Sequence, residues 1–585
     1  MRRCCTFAPA HRRTFGPALT TFHAMGLRVL RQYAGKVGLK PNFTIHDQSA
    51  AADLIGQLRQ DLGLAQLSKK FPDREACLKI YSRKVNARQP LKVVLASGRF
   101  AEYRQWQRQL QKLFKAYRQS KRKQNVVDFD DLLRLWAALL KRPALAREIG
   151  RYFDHVLVDE YQDTNALQAV ILKRLKPTGT GVTVVGDDAQ AIYGFRAAKV
   201  RNLRDFQTAF TRPAQVIKLE QNYRSTPPIL AASNAVIGLA REGIPKTLRA
   251  TRIGNDQPVL MVAADEQEQA AYIADQVQFK GRGGKKLKDQ AVLFKAAAHS
   301  VLLESELTRR KIPFVKYGGQ QFADAASVKE VVAVLKWAEN PSDRISGYGA
   351  LRLIPGFTPA ITMRLLDLVG KSGLESALAA FTPPPKAMRS WPRFLTVMGG
   401  LTHGKISWQQ QIDAACTWYR ANFERKPEAV ARINRDLARL TSAAGAFETR
   451  QTFIATMMLD PDTLEGAAQA PAHNGDLLTL STVHQAKGRD WGHVYVLNVI
   501  DGCFPDGRAK RKSEIEEERR VLYVAMTRAK DQLTMVMPRR LAAIGTHQGR
   551  PVLAAPSPFI PSTIFNHFEQ LNLALNPTPR SSPDR

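Results

Sequence analysis

Two apolar runs that each end in polar residues are the clearest structural pattern in the chain. Val156–Val158 is an unbroken apolar run that ends in Asp159 and Glu160, which predicts a buried parallel strand with two carboxylates at its C-terminal edge. Val182–Val185 predicts a second strand, which opens into the polar loop 186–190. Because a helical stretch joins the two runs, a βαβ connection places both loops at the same edge of one sheet.

Helical patterns occupy much of the remaining chain. In the basic segment 103–123, Trp106, Leu110 and Phe114 recur at i, i+4 and i+8, which predicts an amphipathic helix with these side chains facing inward. Its basic face is either solvated or close to nucleic acid. Segment 353–368 predicts a Gly-Pro turn and then an amphipathic helix, which is either a plain connection or a backbone-binding helix-hairpin-helix turn.

The residues at the two strand ends suit nucleoside triphosphate hydrolysis. Ligands of open α/β sheets bind at the C-terminal edge of the strands. Asp159 can hold a Mg²⁺ ion that bridges the β- and γ-phosphates, Glu160 can orient or deprotonate the attacking water, and Gln190 can reach the γ-phosphate. Flat side chains on which bases could stack follow in the same loop: Tyr193, Phe195 and Arg196. A place in the core is the alternative for the two aromatic rings.

Both loops belong to longer segments with a family resemblance. We find DEYQDTN at 159–165, VGDDAQAIYGFR at 185–196 and LEQNYRSTPPIL at 219–230, and these resemble motifs II, III and IV of the UvrD/Rep group of superfamily 1 DNA helicases. Two later segments are similar to motifs V and VI, in the right order: TVHQAKGRDW at 482–491 and EEERRVLYVAMTRAK at 516–530.

Upstream segments extend the resemblance. TFHAMGLRVLR at 21–31 is similar to motif Ib, and DFDDLL at 128–133 matches the segment that commonly precedes motif II. The resemblance therefore runs from about residue 20 to about residue 540.

The resemblance implies individual roles at a shared ATP site. The residues implied for catalysis are Glu160 as the base, Gln190 as a γ-phosphate sensor, and Arg224 and Arg528 as arginine fingers from the second motor domain. Those implied for binding ATP and Mg²⁺ are Asp159 as the metal ligand, Tyr223 against the adenine, and Gly488 and Asp490 of motif V. The group usually shows Leu-Glu where this chain has Arg489 and Asp490, and the shorter Asp predicts a weaker contact with the nucleotide sugar.

The resemblance also implies a path for single-stranded and junction DNA. The implied contacts are Phe22 and His23 of motif Ib, Tyr193, Phe195 and Arg196 of motif III, and His484 of motif V. A structural role is the alternative for the two histidines.

An intact phosphate-binding loop, GxxxxGK[ST], is absent from the printed sequence. In this group the loop precedes motif Ib, and its backbone amides, Lys and Ser/Thr hold the phosphates and Mg²⁺. The Gly-Lys pairs at 35–36 and 370–371 lack the leading glycine, and segment 399–406 has Ile406 where a hydroxyl is needed. Residues 1–20 show neither a strand nor a helix period. We therefore expect an incomplete first motor domain, from a misassigned start or a frameshift, with uncovered strand edges and apolar faces.

The order of the motifs predicts an α/β protein with two RecA-like motor domains, each with a mainly helical insertion. The expected divisions are 1–25 and 119–216 for the first motor domain, 26–118 for its insertion, 217–324 and 475–540 for the second motor domain, 325–474 for its insertion, and 541–585 for a loose tail. An apolar strand at Ala291–Lys295 belongs to the second motor domain, and Pro/Ser-rich segments mark the tail.

Composition limits the kinds of partner and the cellular compartment that we expect. The 585 residues carry a formal net charge of +35, which predicts a polyanionic partner such as DNA or RNA, with a generally basic proteome as the alternative. The five cysteines form no CxxC pair, so neither a zinc site nor a disulfide framework is indicated and a reducing cytoplasm is expected. The longest apolar runs are too short to span a membrane.

Two functional interpretations follow. In the first, the protein is an ATP-dependent 3'-to-5' DNA helicase that acts with repair or replication proteins. In the second, the chain is a DNA-binding remnant without useful ATPase activity, because the phosphate cradle is missing. The second interpretation predicts weak, strongly salt-dependent binding to single-stranded DNA and no DNA-stimulated ATPase above a Glu160→Gln control.

Overall fold

The computed structural model describes residues 5–9, 18–96, 98–241, 243–244, 246–317, 322–404, 406–421, 427–459, 475–541 and 552–572. Its strands are β1 Cys5–Pro9, β2 Ala18–Thr20, β3 Thr44–His46, β4 Val126–Asp128, β5 Phe153–Val158, β6 Val182–Val184, β7 Gln221–Asn222, β8 Arg249–Ala250, β9 Val259–Ala263, β10 Gln290–Phe294, β11 Phe314–Tyr317, β12 Leu478–Thr482, β13 Trp491–Val496, β14 Ala529–Pro538, β15 Arg540–Leu541, β16 Val552–Leu553 and β17 Glu569–Asn572.

The helices lie between and beside these strands. They are α1 Phe22–Gln32, α2 Gln48–Asp61, α3 Arg74–Asn86, α4 Leu91–Ala96, α5 Gln107–Lys123, α6 Phe129–Leu139, α7 Pro143–Gly150, α8 Ala166–Leu175, α9 Arg201–Arg204, α10 Pro227–Gly238, α11 Glu266–Arg282, α12 Val301–Arg309, α13 Ala326–Glu339, α14 Arg344–Leu351, α15 Pro359–Ser372, α16 Leu374–Ala380, α17 Trp391–Thr402, α18 Trp408–Ala421, α19 Pro427–Ala444, α20 Arg450–Leu459, α21 Val483–Ala486 and α22 Lys512–Met526. Across the described part of the chain, no helix is long and apolar enough to cross a membrane.

A four-stranded sheet of order β2-β1-β5-β6 contains the two strands predicted from the apolar runs. β5 and β6 are parallel, with Val156 opposite Val182, as the pattern predicted. β1 is antiparallel to β5 and to β2. Residues 1–20 lack the sequence pattern of a strand, yet 5–9 and 18–20 form strands. Backbone hydrogen bonds between β1 and β5 and between β1 and β2 hold them, and such bonds do not depend on side-chain pattern.

One face of this sheet is covered by helices. Val156 and Val158 are almost fully buried in a core shared with α1, α6 and α8. Leu157 points to the other face and is 44% exposed. The prediction that this run is buried on both faces is wrong for Leu157, since a continuous apolar run does not report how many faces of a sheet are covered.

Several apolar side chains after β6 and before β7 are exposed. Val185, just after β6, is 50% exposed, and β6 has β5 as its one neighbour in the described sheet. Val216, Ile217 and Leu219, which precede β7, are 63%, 72% and 76% exposed. The opposite edge of β5 is not open, because β1 pairs with it.

A seven-stranded sheet of order β11-β12-β10-β13-β14-β9-β17 forms the second α/β unit, and all its neighbouring strands are parallel. Every residue of β10 is buried, so the strand predicted at 291–295 is confirmed within one residue at its ends. One apolar core contains α10 and α22, and a second contains α11 and α12. A parallel sheet flanked by helices confirms the predicted α/β class.

The C-terminal segment differs from the loose tail expected for 541–585. β17 pairs in parallel with β9 at the edge of the second sheet. Phe559, Ile560 and Phe568 are buried in the core beneath it. The proline and serine content of this segment favoured a disordered tail, so the buried apolar residues were not expected. Positions 542–551 and 573–585 lie outside the described residues.

Two helical units accompany the sheets. α2–α5 surround a core in which Leu110 and Phe114 are buried and Trp106 is half-buried, so the predicted inward-facing stripe is confirmed. α13–α20 surround a separate core. α15 is the amphipathic helix predicted after the Gly-Pro turn, where Gly356 has a φ of +85°.

A buried polar joint connects the second helical unit to β3. Asp343, which caps α14, accepts a hydrogen bond of 2.8 Å from Thr44 Oγ1 and lies 2.9 Å from His46 Nε2. The Asp343 and His46 side chains are fully buried. Asn340 donates to the backbone carbonyl of Gln124 at 3.0 Å. Buried polar groups that satisfy one another in this way fix the position of α14 against β3.

Candidate nucleotide and nucleic-acid site

The two acids lie where the sequence pattern predicted, directly after β5. Asp159 Oδ1 accepts a hydrogen bond from the Glu160 amide at 2.8 Å. Glu160 has a φ of +52°, in the left-handed region that few non-glycine residues adopt. Gln162 Nε2 donates to Glu160 Oε2 at 2.5 Å and so holds the carboxylate in place.

The loop after β6 lies beside these acids. The Asp187 amide donates to Gln162 Oε1 at 3.0 Å, which ties the two loops together. Gln190 Nε2 donates to Asp187 Oδ2 at 2.8 Å. Lys246 forms ion pairs with both Asp187 and Asp188. The side-chain amide of Gln190 is therefore oriented by Asp187 of its own loop. Gln162 contacts both Asp187 and Glu160 and keeps this loop close to Glu160.

Lys487 joins this region to the second α/β unit, and sequence reasoning missed it. Its ammonium lies 2.5 Å from Asp163 Oδ2, 2.8 Å from the carbonyl of Gln190 and 3.2 Å from Glu160 Oε2. Lys487 follows α21 and is only 5% exposed. A lysine in a polar turn is normally solvated, so its type alone gave no signal. Its position inside TVHQAKGRDW, one residue before Gly488, was the available clue.

The two predicted arginine fingers approach the same region from the second unit. Arg528 is 1% exposed and donates to the carbonyls of Val524 and Arg489 at 3.0 and 3.2 Å. Burial, and next the charge of Arg224, lowers the pKa of Arg528 to about 10, while Glu160 acts in the opposite direction. Arg528 is therefore within electrostatic range of both Arg224 and the candidate base.

Tyr523 is influenced by charges from both units. Burial raises the pKa of its buried hydroxyl, and Asp187 raises it further. Arg528 and Arg224 act in the opposite direction. Tyr523 thus lies among the carboxylates of the first unit and the arginines of the second. Contacts through the segment after α21 join these groups: Arg489 and Asp490 accept hydrogen bonds from Arg528 and Arg224, and Lys487 contacts Glu160 and the carbonyl of Gln190.

The residues present supply part of what a Mg²⁺–triphosphate requires, while the printed sequence contains no intact phosphate-binding loop. The guanidinium groups of Arg224 and the buried Arg528 repel each other, and a bound polyanion would reduce this repulsion. Asp159 supplies the carboxylate oxygen that Mg²⁺ prefers. Among the residues that the structure describes, no cluster of three or more His, Cys, Asp or Glu could hold a metal ion alone. An ion at Asp159 would therefore take its other ligands from phosphate and water.

The predicted adenine and sugar contacts have distinct surroundings. The Tyr223 ring is 72% exposed, and its hydroxyl donates to Gln221 at 2.7 Å. Asp490 accepts a hydrogen bond from Arg224 Nε at 2.9 Å and pairs with Lys530 at 2.6 Å. Burial acts to raise the pKa of Asp490, but hydrogen bonds from these two cations lower it overall. In this structure Asp490 positions Arg224, while Gly488 has a φ of +76° at the turn.

Three of the predicted nucleic-acid contacts form one cluster, which we call the aromatic stack: Tyr193, Phe195 and His484. Their ring centroids are 5.6 to 6.0 Å apart, and the rings are tilted or edge-on to one another. The Tyr193 hydroxyl donates to the carbonyl of His484 at 2.8 Å, so the stack spans both units. Phe195 is 44% exposed and is not a core residue. The side chain of Arg196 lies outside the described residues.

The motif Ib residues lie elsewhere. Phe22 is 3% exposed and its ring lies 6.3 Å from that of Trp136. The expectation that Phe22 contacts nucleic acid directly is therefore wrong for this structure, because the first turn of α1 buries it in the core. His23 is half-buried, with its ring edge-on to Phe129 at 6.2 Å.

Two family models match consecutive parts of the chain. The model of the UvrD/REP helicase N-terminal domain matches residues 8–211, and the UvrD-like helicase C-terminal domain model matches 217–540. These two matches cover both parts of a UvrD-type helicase fold. The chain belongs to the UvrD-like helicase family.

Curated relatives are similar over most of the chain. ATP-dependent DNA helicase UvrD1 of Mycobacterium tuberculosis is 30% identical, over 93% of this chain and 74% of the relative. DNA helicase II of Haemophilus influenzae is 30% identical, over 90% and 74%. ATP-dependent DNA helicase PcrA of Staphylococcus epidermidis is 28% identical, over 88% and 72%.

Proposed function

We propose that the protein is an ATP-dependent 3'-to-5' DNA helicase that couples ATP hydrolysis to tracking along single-stranded DNA and to unwinding of duplex. The observation that supports this most strongly is that Lys487 contacts Glu160 and the carbonyl of Gln190, while Arg489 and Asp490, just after it, accept hydrogen bonds from Arg528 and Arg224. A site built from both units couples nucleotide chemistry to their relative position. The direction of travel is part of the proposal and rests on the resemblance.

Each residue has a defined task in this proposal. Asp159 would hold the Mg²⁺ ion, which neutralises charge on the phosphate oxygens. Glu160, held by Gln162, accepts the proton of the attacking water. Gln190 contacts the γ-phosphate, and Arg224 and Arg528 stabilise the charge that spreads over the transferring phosphoryl group. Tyr223 presents its exposed ring to the adenine.

The domain divisions are proposals of the same kind. We assign 1–25 and 119–216 to the first motor domain and 217–324 and 475–540 to the second, with insertions at 26–118 and 325–474. We extend the second motor domain to include 552–572, because β17 completes its sheet. The aromatic stack at the junction is the proposed surface for single-stranded bases, and the basic face of α5 is a further candidate for the junction duplex.

Strand displacement tests the proposal. The full chain is given ATP and a duplex with either a 3' or a 5' single-stranded tail, and Glu160→Gln provides the matched control. We expect unwinding of the 3'-tailed duplex only, and none by Glu160→Gln. Equal unwinding of both substrates would contradict the direction, and unwinding by Glu160→Gln at the wild-type rate would contradict the assigned base.

A second candidate function is supported by the printed sequence, which contains no intact GxxxxGK[ST] segment. The chain would then bind single-stranded DNA without hydrolysing ATP. This candidate predicts binding that weakens steeply with salt, with ATP hydrolysis equal in the wild type and in Glu160→Gln.

A further inference from the structure

Charged side chains from distant elements hold the backbone of the turn that carries the aromatic stack. The Gly194 amide donates to Glu517 Oε1 at 2.7 Å. The Gly194 carbonyl accepts a hydrogen bond from Arg83 Nη1, also at 2.7 Å. Arg520 Nε donates to the carbonyl of Ala191 at 2.8 Å. We call Arg83, Glu517 and Arg520 the Gly194 clasp.

The members of the clasp come from two different parts of the molecule. Glu517 and Arg520 lie on α22, in the second α/β unit, whereas Arg83 lies on α3, in the first helical unit. The turn at Gly194 belongs to the first α/β unit and follows β6 in the chain. Three units therefore meet at one residue, Gly194.

A side chain at position 194 would require the Glu517 carboxylate to move. A Cβ atom at this position would lie 2.3 Å from Glu517 Oε2. The carboxylate thus approaches the backbone as closely as a glycine permits.

The charged groups of the clasp are partly desolvated. Burial raises the pKa of Glu517, while the hydrogen bond from Gly194 lowers it. Burial lowers the pKa of Arg83, and the nearby Arg99 lowers it further. Desolvated charges are costly unless they are hydrogen-bonded, so the Gly194 peptide and the clasp stabilise each other.

The turn leads directly into the aromatic stack. Tyr193 and Phe195 flank Gly194 in sequence, and Tyr193 is anchored to His484 through its hydroxyl. A shift of the Gly194 peptide would move both rings relative to His484. Stacking on a base depends on the separation and tilt of such rings.

We propose that Arg83 and Glu517 are positioning residues that hold the Gly194 peptide from both sides and thereby set the geometry of the aromatic stack for single-stranded bases. This rests on the proposed function, because it takes the stack as a nucleic-acid surface. The clasp couples the geometry of that surface to the position of the first helical unit through Arg83 and to the position of α22 through Glu517.

Hydrogen exchange and base stacking, measured on the full chain, test the proposal together. Arg83→Met and Glu517→Met each remove one side of the clasp. Lys79→Met is the matched control for Arg83, since Lys79 is exposed on the same helix and carries the same charge. Glu517→Gln keeps an acceptor and serves as the conservative variant.

In the ligand-free protein, we expect amide exchange in a peptide covering 190–197 to become about tenfold faster in Arg83→Met and Glu517→Met, with β10–β14 unchanged. With single-stranded DNA that contains 2-aminopurine, both variants should lose stacking quench and bind about tenfold more weakly, at an unchanged salt dependence. Lys79→Met and Glu517→Gln should exchange and quench like the wild type.

Three results would overturn the proposal. One is unchanged exchange at 190–197 in both clasp variants, and another is faster exchange with full stacking quench. The third is an affinity loss in Lys79→Met equal to that in Arg83→Met, which would show that charge rather than position matters. A wild-type chain that binds no single-stranded DNA would instead overturn the proposed function, and the exchange measurement would still decide whether the clasp holds the turn.

Discussion

Replacing Lys487 with methionine removes the ammonium that links the two α/β units at the candidate site. The ammonium contacts Asp163, the carbonyl of Gln190 and Glu160 at 2.5, 2.8 and 3.2 Å. The side chains of Lys487, Asp163 and Glu160 are 6%, 17% and 32% exposed. Removing one partner of a buried ion pair costs about 3–5 kcal/mol. Because solvent partly screens Glu160, we expect a loss of about 3 kcal/mol in the free energy of unfolding, most of it from Asp163.

Urea unfolding of the full chain measures this loss. A double-mutant cycle with Asp163→Asn should give a coupling energy of about 2 kcal/mol. Lys530→Met is the control, since Lys530 and its partner Asp490 are 40% and 31% exposed and their pair should contribute less than about 1 kcal/mol. A loss in Lys487→Met no larger than that in Lys530→Met, or an additive cycle, would refute the role of Lys487 as a link between the units.

Three further changes have defined outcomes. Gly194→Ala places a Cβ 2.3 Å from Glu517 Oε2 and should weaken binding of single-stranded DNA about tenfold in an anisotropy titration, whereas Gly281→Ala, with nothing within 4 Å, should not. Asp343→Ala removes the acceptor of the buried joint with β3 and should cost about 3 kcal/mol in thermal unfolding at pH 7; an unchanged melting temperature would contradict this. Burial, and next Lys280, lowers the pKa of His493 to about 4, below an unfolded value of about 6.5. As the pH falls, the unfolded state takes up the proton before the folded state does, so the free energy of unfolding should fall between about pH 6.5 and pH 4. In His493→Gln the melting temperature should stay nearly constant over that window. A fall as large as that of the wild type would show that another group is responsible.

The sequence predicted the elements whose signal is local. β5, β6 and β10 follow from apolar runs that are bounded by polar residues, and the stripe of Leu110 and Phe114 follows from helical spacing. The exposure of Leu157 could not be read in this way, because it depends on whether another layer covers the sheet. β17 was missed because the apolar anchors that dock it lie between prolines and serines, where composition favours disorder.

The candidate site likewise contains residues that a local sequence pattern predicted and residues that it did not. Glu160 and Gln190 stand at the ends of strands, where a sequence pattern reveals them. The roles of Lys487 and Glu517 depend on contacts with residues 324 and 323 positions away in the chain, so packing creates them and no local period reports them. Phe22 shows the converse, since a residue inside a recognisable motif can be a core residue.

ATP hydrolysis by the full chain tests the central claim most directly, which is that the acids after β5 and the arginines of the second unit act on one triphosphate. Initial rates are measured with Mg²⁺, with and without single-stranded DNA, for the wild type, Glu160→Gln and Arg528→Lys. The shared site predicts a wild-type rate that DNA raises well above the Glu160→Gln baseline, and an Arg528→Lys rate at least about a hundredfold lower than wild type, because lysine lacks the planar guanidinium. Equal, DNA-independent rates in all three proteins would contradict the claim.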